Sequence, residues 1–174
     1  MDVFGLAGWS GSGKTTLLTR LLPALIERGV SVSTIKHAHH AFDVDQPGKD
    51  SHRHREAGAT EVMISSERRW ALMHELRGDA EPPLDQLLSR MSPVDLVIVE
   101  GFKRAAIPKL EIHRAAIGKP LLALEDTNIV AIASDLPVAG SGALPRFALD
   151  NAGAIADFIL AHLHIAVAQR GAAQ

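Results

Sequence analysis

Residues Gly8-Trp9-Ser10-Gly11-Ser12-Gly13-Lys14-Thr15 narrow the fold more than any other stretch, because they fit the phosphate-loop pattern G-x-x-x-x-G-K-[ST]. The pattern needs a strand before it and a helix after it, and both are present. Residues 3–7 (VFGLA) form a short apolar run suited to a buried strand. Leu17, Leu18, Leu21, Leu22, Leu25 and Ile26 then recur on one face of a 3.6-residue period. In such a loop the glycines let the backbone curl so that N–H groups converge on a phosphate, and the helix start adds a positive dipole. Lys14 would reach the outer phosphates as a point charge, and the Thr15 hydroxyl would serve Mg2+. A Gly/Ser-rich turn could carry similar letters without a ligand, but the flanking pattern favours a nucleoside phosphate.

Strands alternating with helices along the rest of the chain predict an α/β fold. The expectation is a P-loop NTPase-type, mostly parallel sheet flanked by helices, with an added β-hairpin. The first helix should span 14–28 and close at Gly29, with Pro23 as an unexplained interior proline. A second strand covers 30–35. Residues 36–51 show no period, hold Pro47-Gly48, and read as a loop. Asp50 is placed to cap a short helix ending near Gly58. Segments 60–66 and 69–76 read as a hairpin in which Val62 and Ile64 alternate with Glu61 and Met63, a candidate edge or subunit contact. Pro82-Pro83 opens an amphipathic helix with Leu84, Leu87, Leu88 and Met91. The β-branched run through Val97-Ile98-Val99 predicts a central strand covered on both faces. Residues 110–113 and 129–133 are further strands, and Asp150 is placed to cap a final helix. The chain reads as one nucleotide-binding domain over 1–168, with 169–174 as a disordered tail.

Composition sets limits rather than a function. The 174 residues carry 18 Lys+Arg against 20 Asp+Glu, which offers no electrostatic case for nucleic acid or a membrane as main partner. Absence of cysteine excludes disulfides and thiolate metal sites. No apolar run approaches the ~20 residues of a membrane span, and a cytoplasmic location is expected.

Three groups of residues carry the candidate chemistry. Gly8, Ser10, Gly11, Ser12, Gly13, Lys14, Thr15 and Thr16 would bind the nucleotide. Glu100, an acid ending an apolar strand, would meet Mg2+ with Thr15 or orient an attacking water. Asp135, following the strand 129–133, could accept two hydrogen bonds from the N1–H and 2-amino group of guanine; a turn cap is the plainer role for it. The histidine- and aspartate-rich loop, with Lys36, His37, His39, His40, Asp43, Asp45, Lys49 and Asp50, suits a switch segment or a second substrate. A zinc site there would lack both an H-E-x-x-H helix and a cysteine spacing.

On the loop Gly8–Thr16, the segment Ile35-Lys36-His37-Ala38-His39-His40 through Asp43–Ser51, and Val97–Lys103 with Pro108–Ile112, the chain resembles the MobB family of molybdopterin-guanine dinucleotide biosynthesis adapters. That resemblance covers about residues 2–165. It implies a homodimeric GTP-binding protein using Mg2+, with at most weak GTPase activity. Its partners would be the molybdenum-cofactor guanylyltransferase and related cofactor-biosynthesis enzymes. A P-loop small-molecule kinase, with Asp43 or Asp45 as base, and a metal-delivery GTPase stand as alternatives.

Overall fold

The computed structural model describes residues 1–38, 42–138 and 142–167. In chain order the elements are β1 (Asp2–Ala7), α1 (Lys14–Glu27), β2 (Val32–Lys36), α2 (Asp50–Glu56), β3 (Glu61–Ser65), β4 (Trp70–His74), α3 (Leu84–Ser89), β5 (Leu96–Glu100), β6 (Lys109–His113), β7 (Ile129–Ser134), β8 (Arg146–Ala148) and α4 (Ala152–His162). They fall into two compact units, residues 1–37 with 92–174, and residues 38–91.

The larger unit is built on a six-stranded sheet ordered β2-β5-β1-β6-β7-β8, and every pairing is parallel. The neighbours β1 and β5 are the strands whose outgoing connections part: β1 leads through α1 to β2 on one side, and β5 leads to β6 on the other, with β7 and β8 beyond. In open parallel sheets the crevice at the carboxyl ends of strands around such a switch receives the ligand. β5, with Leu96 to Glu100 all buried, fills the slot between β2 and β1 as its unbroken apolar run requires.

One face of the sheet is covered by α1 and α4. Leu17, Leu21 and Leu25 lie four residues apart and pack with Phe4, Leu6, Ile98, Leu110, Ile155 and Ile159. On a second cluster Ala7, Leu121, Ile129 and Ile132 pack together. Pro23 sits inside α1 but is exposed, where its ring and missing N–H leave the core undisturbed. The helix ends in a Schellman turn: Gly29, at φ 82°, donates to the Ile26 carbonyl and Val30 donates to that of Leu25. Arg28 joins the helices, binding Asp157 at 2.7 Å and the carbonyls of Ala24 and Gly153.

In the smaller unit β3 and β4 form an antiparallel hairpin, and α2 packs against β3. Val62 and Met73 face each other across the hairpin and are buried, whereas the paired Met63 and Leu72 are exposed, 62% and 43%.

Several local expectations need correction. Asn151, not Asp150, caps α4, its side chain accepting from Ala154 N–H at 3.0 Å. Lys49 precedes α2 as its cap residue, and Asp50 is already helical. β2 begins at Val32 rather than 30, and β8 is an additional strand. No described helix is long and apolar enough to cross a membrane. The tail expected to be disordered, along with His39 and His40, lies outside the described residues.

Candidate functional site

The phosphate loop joins β1 to α1 at the carboxyl end of the sheet. Its curl depends on glycine where a side chain has no room. A Cβ on Gly8, at φ 150°, would lie 2.5 Å from the Ile112 carbonyl oxygen and 2.6 Å from Ser12 Oγ. Gly13, at φ 97° and ψ 20°, is the left-handed residue immediately before the helix. Ser12 N–H closes the turn onto the Trp9 carbonyl at 3.1 Å.

Where the loop enters α1, the first-turn N–H groups of Lys14, Thr15 and Thr16 have no intrahelical partner. No side chain caps this end and no acid occupies its first turn. An uncapped helix start of this kind attracts anions. Beside it lies a hollow of about 370 Å³ lined by Ser10, Gly11, Gly13, Lys14, Thr15, Thr16 and Glu100. Lys14 Nζ folds back onto the carbonyls of Gly8 and Trp9, at 3.0 and 3.1 Å. Partial burial holds Lys14 below the ordinary lysine range; Glu100 works against that shift, and the Lys103 and Lys36 charges add to it.

Glu100 is buried at the end of β5, in register with Leu6 on one side and Lys36 on the other. The Thr15 hydroxyl lies 3.5 Å from Glu100 Oε1, too long for a strong O–H···O bond. A hydroxyl and a carboxylate at this separation are two hard oxygen donors suited to Mg2+, which takes one or two protein oxygens and completes its shell with water and phosphate. The residues present therefore fit both a phosphate chain and its cation. His37 N–H donates to the Glu100 carbonyl at 2.8 Å, and its ring lies 5.0 Å from that of Phe102. Gly101, at φ 99°, permits this approach, since a Cβ would stand 3.0 Å from the His37 carbonyl oxygen.

A second hollow of about 440 Å³ shares Gly13 and Thr16 with the first and reaches Arg20, Arg114, Ser134, Asp135, Leu149 and Asp150. Arg114 donates from Nε to the Ser12 carbonyl at 3.1 Å and stands 3.8 Å from Asp135. Asp135 Oδ1 accepts from Ala115 N–H at 3.1 Å. Arg114 and Arg20 were not among the residues expected from the sequence, because nothing near them in the chain marks them.

The larger unit thus brings together Gly8 to Thr16, Lys36, His37 and Glu100, with Asp135 on the adjoining hollow. Asp43, Asp45, Lys49 and Asp50 belong to the smaller unit. There Arg55 gathers Asp43 at 2.7 Å, Asp45 at 3.7 Å and Glu75 at 3.2 Å. The Arg55 hydrogen bond, and then the Asp45 N–H, hold the Asp43 carboxyl below the usual aspartate range. The two acids considered as a kinase base are engaged in this cluster. Lys49 and Asp50 are exposed at the start of α2, with Asp50 3.9 Å from Arg53. Among the described residues no group of three His, Cys, Asp or Glu side chains is placed to hold a metal ion.

Residues 3–135 match the family described as "Molybdopterin guanine dinucleotide synthesis protein B". The chain is 44% identical over 163 residues to the molybdopterin-guanine dinucleotide biosynthesis adapter protein of Escherichia coli K12, covering 92% of each chain. It is 43% identical to the protein of that name from Haemophilus influenzae, over 94% of this chain and 90% of the relative. Among solved structures, it superposes on a crystal structure of molybdopterin-guanine biosynthesis protein B with a TM-score of 0.74 and 32% identity, covering 93% of this chain and 99% of the other. Bacillus subtilis MobB gives a TM-score of 0.71 at 25% identity, with 94% and 98% covered.

Proposed function

Since the chain belongs to the molybdopterin guanine dinucleotide synthesis protein B family, we propose that it is a GTP-binding adapter in the formation of molybdopterin guanine dinucleotide. In this reading it serves, as a cytoplasmic homodimer, the guanylyltransferase that attaches GMP to molybdopterin, together with related cofactor-biosynthesis enzymes. It hydrolyses GTP slowly at most.

The observation that carries the nucleotide reading is the uncapped start of α1, with Lys14 and the Thr15–Glu100 pair on one hollow. Backbone N–H groups of Gly13 to Thr16 take the phosphate oxygens. Lys14 exchanges its two loop carbonyls for the outer phosphates, a stronger charge-assisted contact. Thr15 and Glu100 are the residues that would hold Mg2+, which when bound neutralises charge on the phosphate oxygens. Glu100, fixed in the sheet, also serves to orient water. The guanine base occupies the adjoining hollow, where Asp135 retains lone pairs for the N1–H and 2-amino donors beyond its bond from Ala115. Adenine presents no such donor pair on that edge.

Lys14→Ala tests this reading. Loss of one charge-assisted contact of ~1.5–3 kcal/mol should weaken GTP binding about 10- to 100-fold, with an unchanged circular dichroism spectrum. Guanosine, lacking phosphates, should bind both forms alike. An equal GTP dissociation constant for variant and wild type, measured by calorimetry, would remove the loop as the phosphate site.

A further inference from the structure

Arg114 leaves the sheet at the end of β6, and nothing in the nucleotide reading gives its side chain a task. Its Nε donates to the Ser12 carbonyl at 3.1 Å. The guanidinium rests against Gly13, where a Cβ would stand 3.4 Å from both Nε and Nη2. The bare glycine before α1 therefore also leaves room for this side chain. β6 and β7 end side by side, with His113 in register with Ser134, so the next residues, Arg114 and Asp135, meet at the larger hollow. The bond from Ala115 N–H to Asp135 Oδ1, at 3.1 Å, ties the two strand ends together.

Neither side chain satisfies the other. Arg114 Nη1 stands 3.8 Å from Asp135 Oδ2, close enough for charge attraction but too far for a hydrogen bond. Among the described residues, Nε is the one nitrogen of Arg114 with an acceptor in hydrogen-bond range, which leaves the four N–H groups of Nη1 and Nη2 to donate. The hollow beside them, about 440 Å³, has Leu17, Ala148 and Leu149 in its wall. It offers a donor and an acceptor side by side next to an apolar surface. A guanine edge has the matching order, with the 6-oxo acceptor beside the N1–H and 2-amino donors. Adenine would turn its 6-amino donor towards the guanidinium, donor against donor.

We propose that Arg114 is a specificity-determining residue, donating to the 6-oxo group of guanine while Asp135 accepts from the N1–H and 2-amino group. The inference rests on the nucleotide reading above and adds a second reader to that site. The guanidinium suits the task because it is planar and always charged, and the Ser12 carbonyl fixes one corner of it. One side chain then both holds the phosphate loop and reads the base.

The test titrates the full chain with GTP, 6-thio-GTP and ITP in the presence of Mg2+, by calorimetry. The 6-thio analogue replaces the 6-oxo acceptor with a weaker one, and ITP lacks the 2-amino group. Wild type should prefer GTP over 6-thio-GTP at least about fivefold. In Arg114→Ala that preference should fall to within about twofold, while the preference for GTP over ITP stays within about twofold of wild type. Arg114→Met, which keeps a long side chain against Gly13 but has no donor, should give the same ratios and serves if the alanine variant does not fold. Each ratio is read within one variant, so a general loss of affinity cannot imitate the result. The proposal is overturned if wild type binds GTP and 6-thio-GTP alike, or if the variants keep the wild-type preference. A fall by one common factor for all three nucleotides would also overturn it, leaving Arg114 as a brace of the loop. Failure of the underlying reading looks different: GTP would not bind wild type, or would bind Lys14→Ala equally well, and the inference would fall with it.

Discussion

Glu100 is 7% exposed, yet it faces the Thr15 hydroxyl and lies within electrostatic reach of Lys14. A buried carboxylate beside a lysine and a hydroxyl is a suitable partner for a cation and for charge developing on phosphate oxygens. Glu100→Gln keeps the shape and removes the charge. GTP should still bind the variant to within about threefold, since the N–H groups and Lys14 remain, while single-turnover phosphate release should slow at least about tenfold. An unaltered release rate would take Glu100 out of the hydrolytic role. At this scale, legibility in sequence tracked distance along the chain. The loop was readable because its parts are contiguous. The Arg114–Ser12 and Trp9–Pro120 contacts bridge 102 and 111 residues, and only the folded sheet brings them together. Asp43 and Asp45 read as possible bases because their spacing from Arg55 in the chain does not show that it pairs with both.

Among the elements, the hairpin of β3 and β4 has one face to spare. Its inward pair is Val62 with Met73; its outward face carries Met63 and Leu72, with Trp70, 63% exposed, opposite Ser65. An exposed apolar stripe on a two-stranded sheet is what a symmetric subunit contact would cover. If the hairpin makes the proposed homodimer, Trp70→Glu should shift the sedimenting mass from dimer towards monomer without changing the far-ultraviolet circular dichroism spectrum. A dimer that persists would place the interface elsewhere. The elements that were legible owe it to strong periodic or continuous patterns, as in α1 and β5. β8 has three residues and no alternation, so only its pairing with β7 defines it. The start of α4 depended on whether Asp150 or Asn151 turned its side chain to Ala154 N–H, a matter of backbone angle rather than composition.

For the larger unit as a whole, stability should depend on acid through a few aspartates held charged. Burial works against the charged form of Asp126, but the hydrogen bonds from Lys109 and Asn128 outweigh it and leave its carboxyl below the usual aspartate range. Asp95, hydrogen-bonded by the Ser31 hydroxyl and N–H, and Asp157, bound by Arg28, are shifted the same way. Groups lowered on folding contribute stability that is fully present above the unfolded aspartate value of about 3.9 and is lost as pH falls through their folded values. Asp126 matters most, because its partner Lys109 is only 2% exposed and meets it at 2.8 Å. Lys109 lies along β6 over Gly5, where a Cβ would approach its Cγ to 2.7 Å. Asp126→Asn leaves the Lys109 charge uncompensated and should cost about 3 kcal/mol at pH 7, near the lower end for breaking a buried pair because Asp126 is itself partly exposed. Protonation of the wild-type carboxyl removes the same charge. The difference between variant and wild type should therefore shrink progressively as pH falls below the unfolded aspartate value of about 3.9, measured by urea unfolding at a series of pH values. A difference that stayed constant from pH 7 to pH 3 would show that Asp126 acts through its shape and hydrogen bonds alone, and the ion pair with Lys109 would drop out of the stability of the sheet.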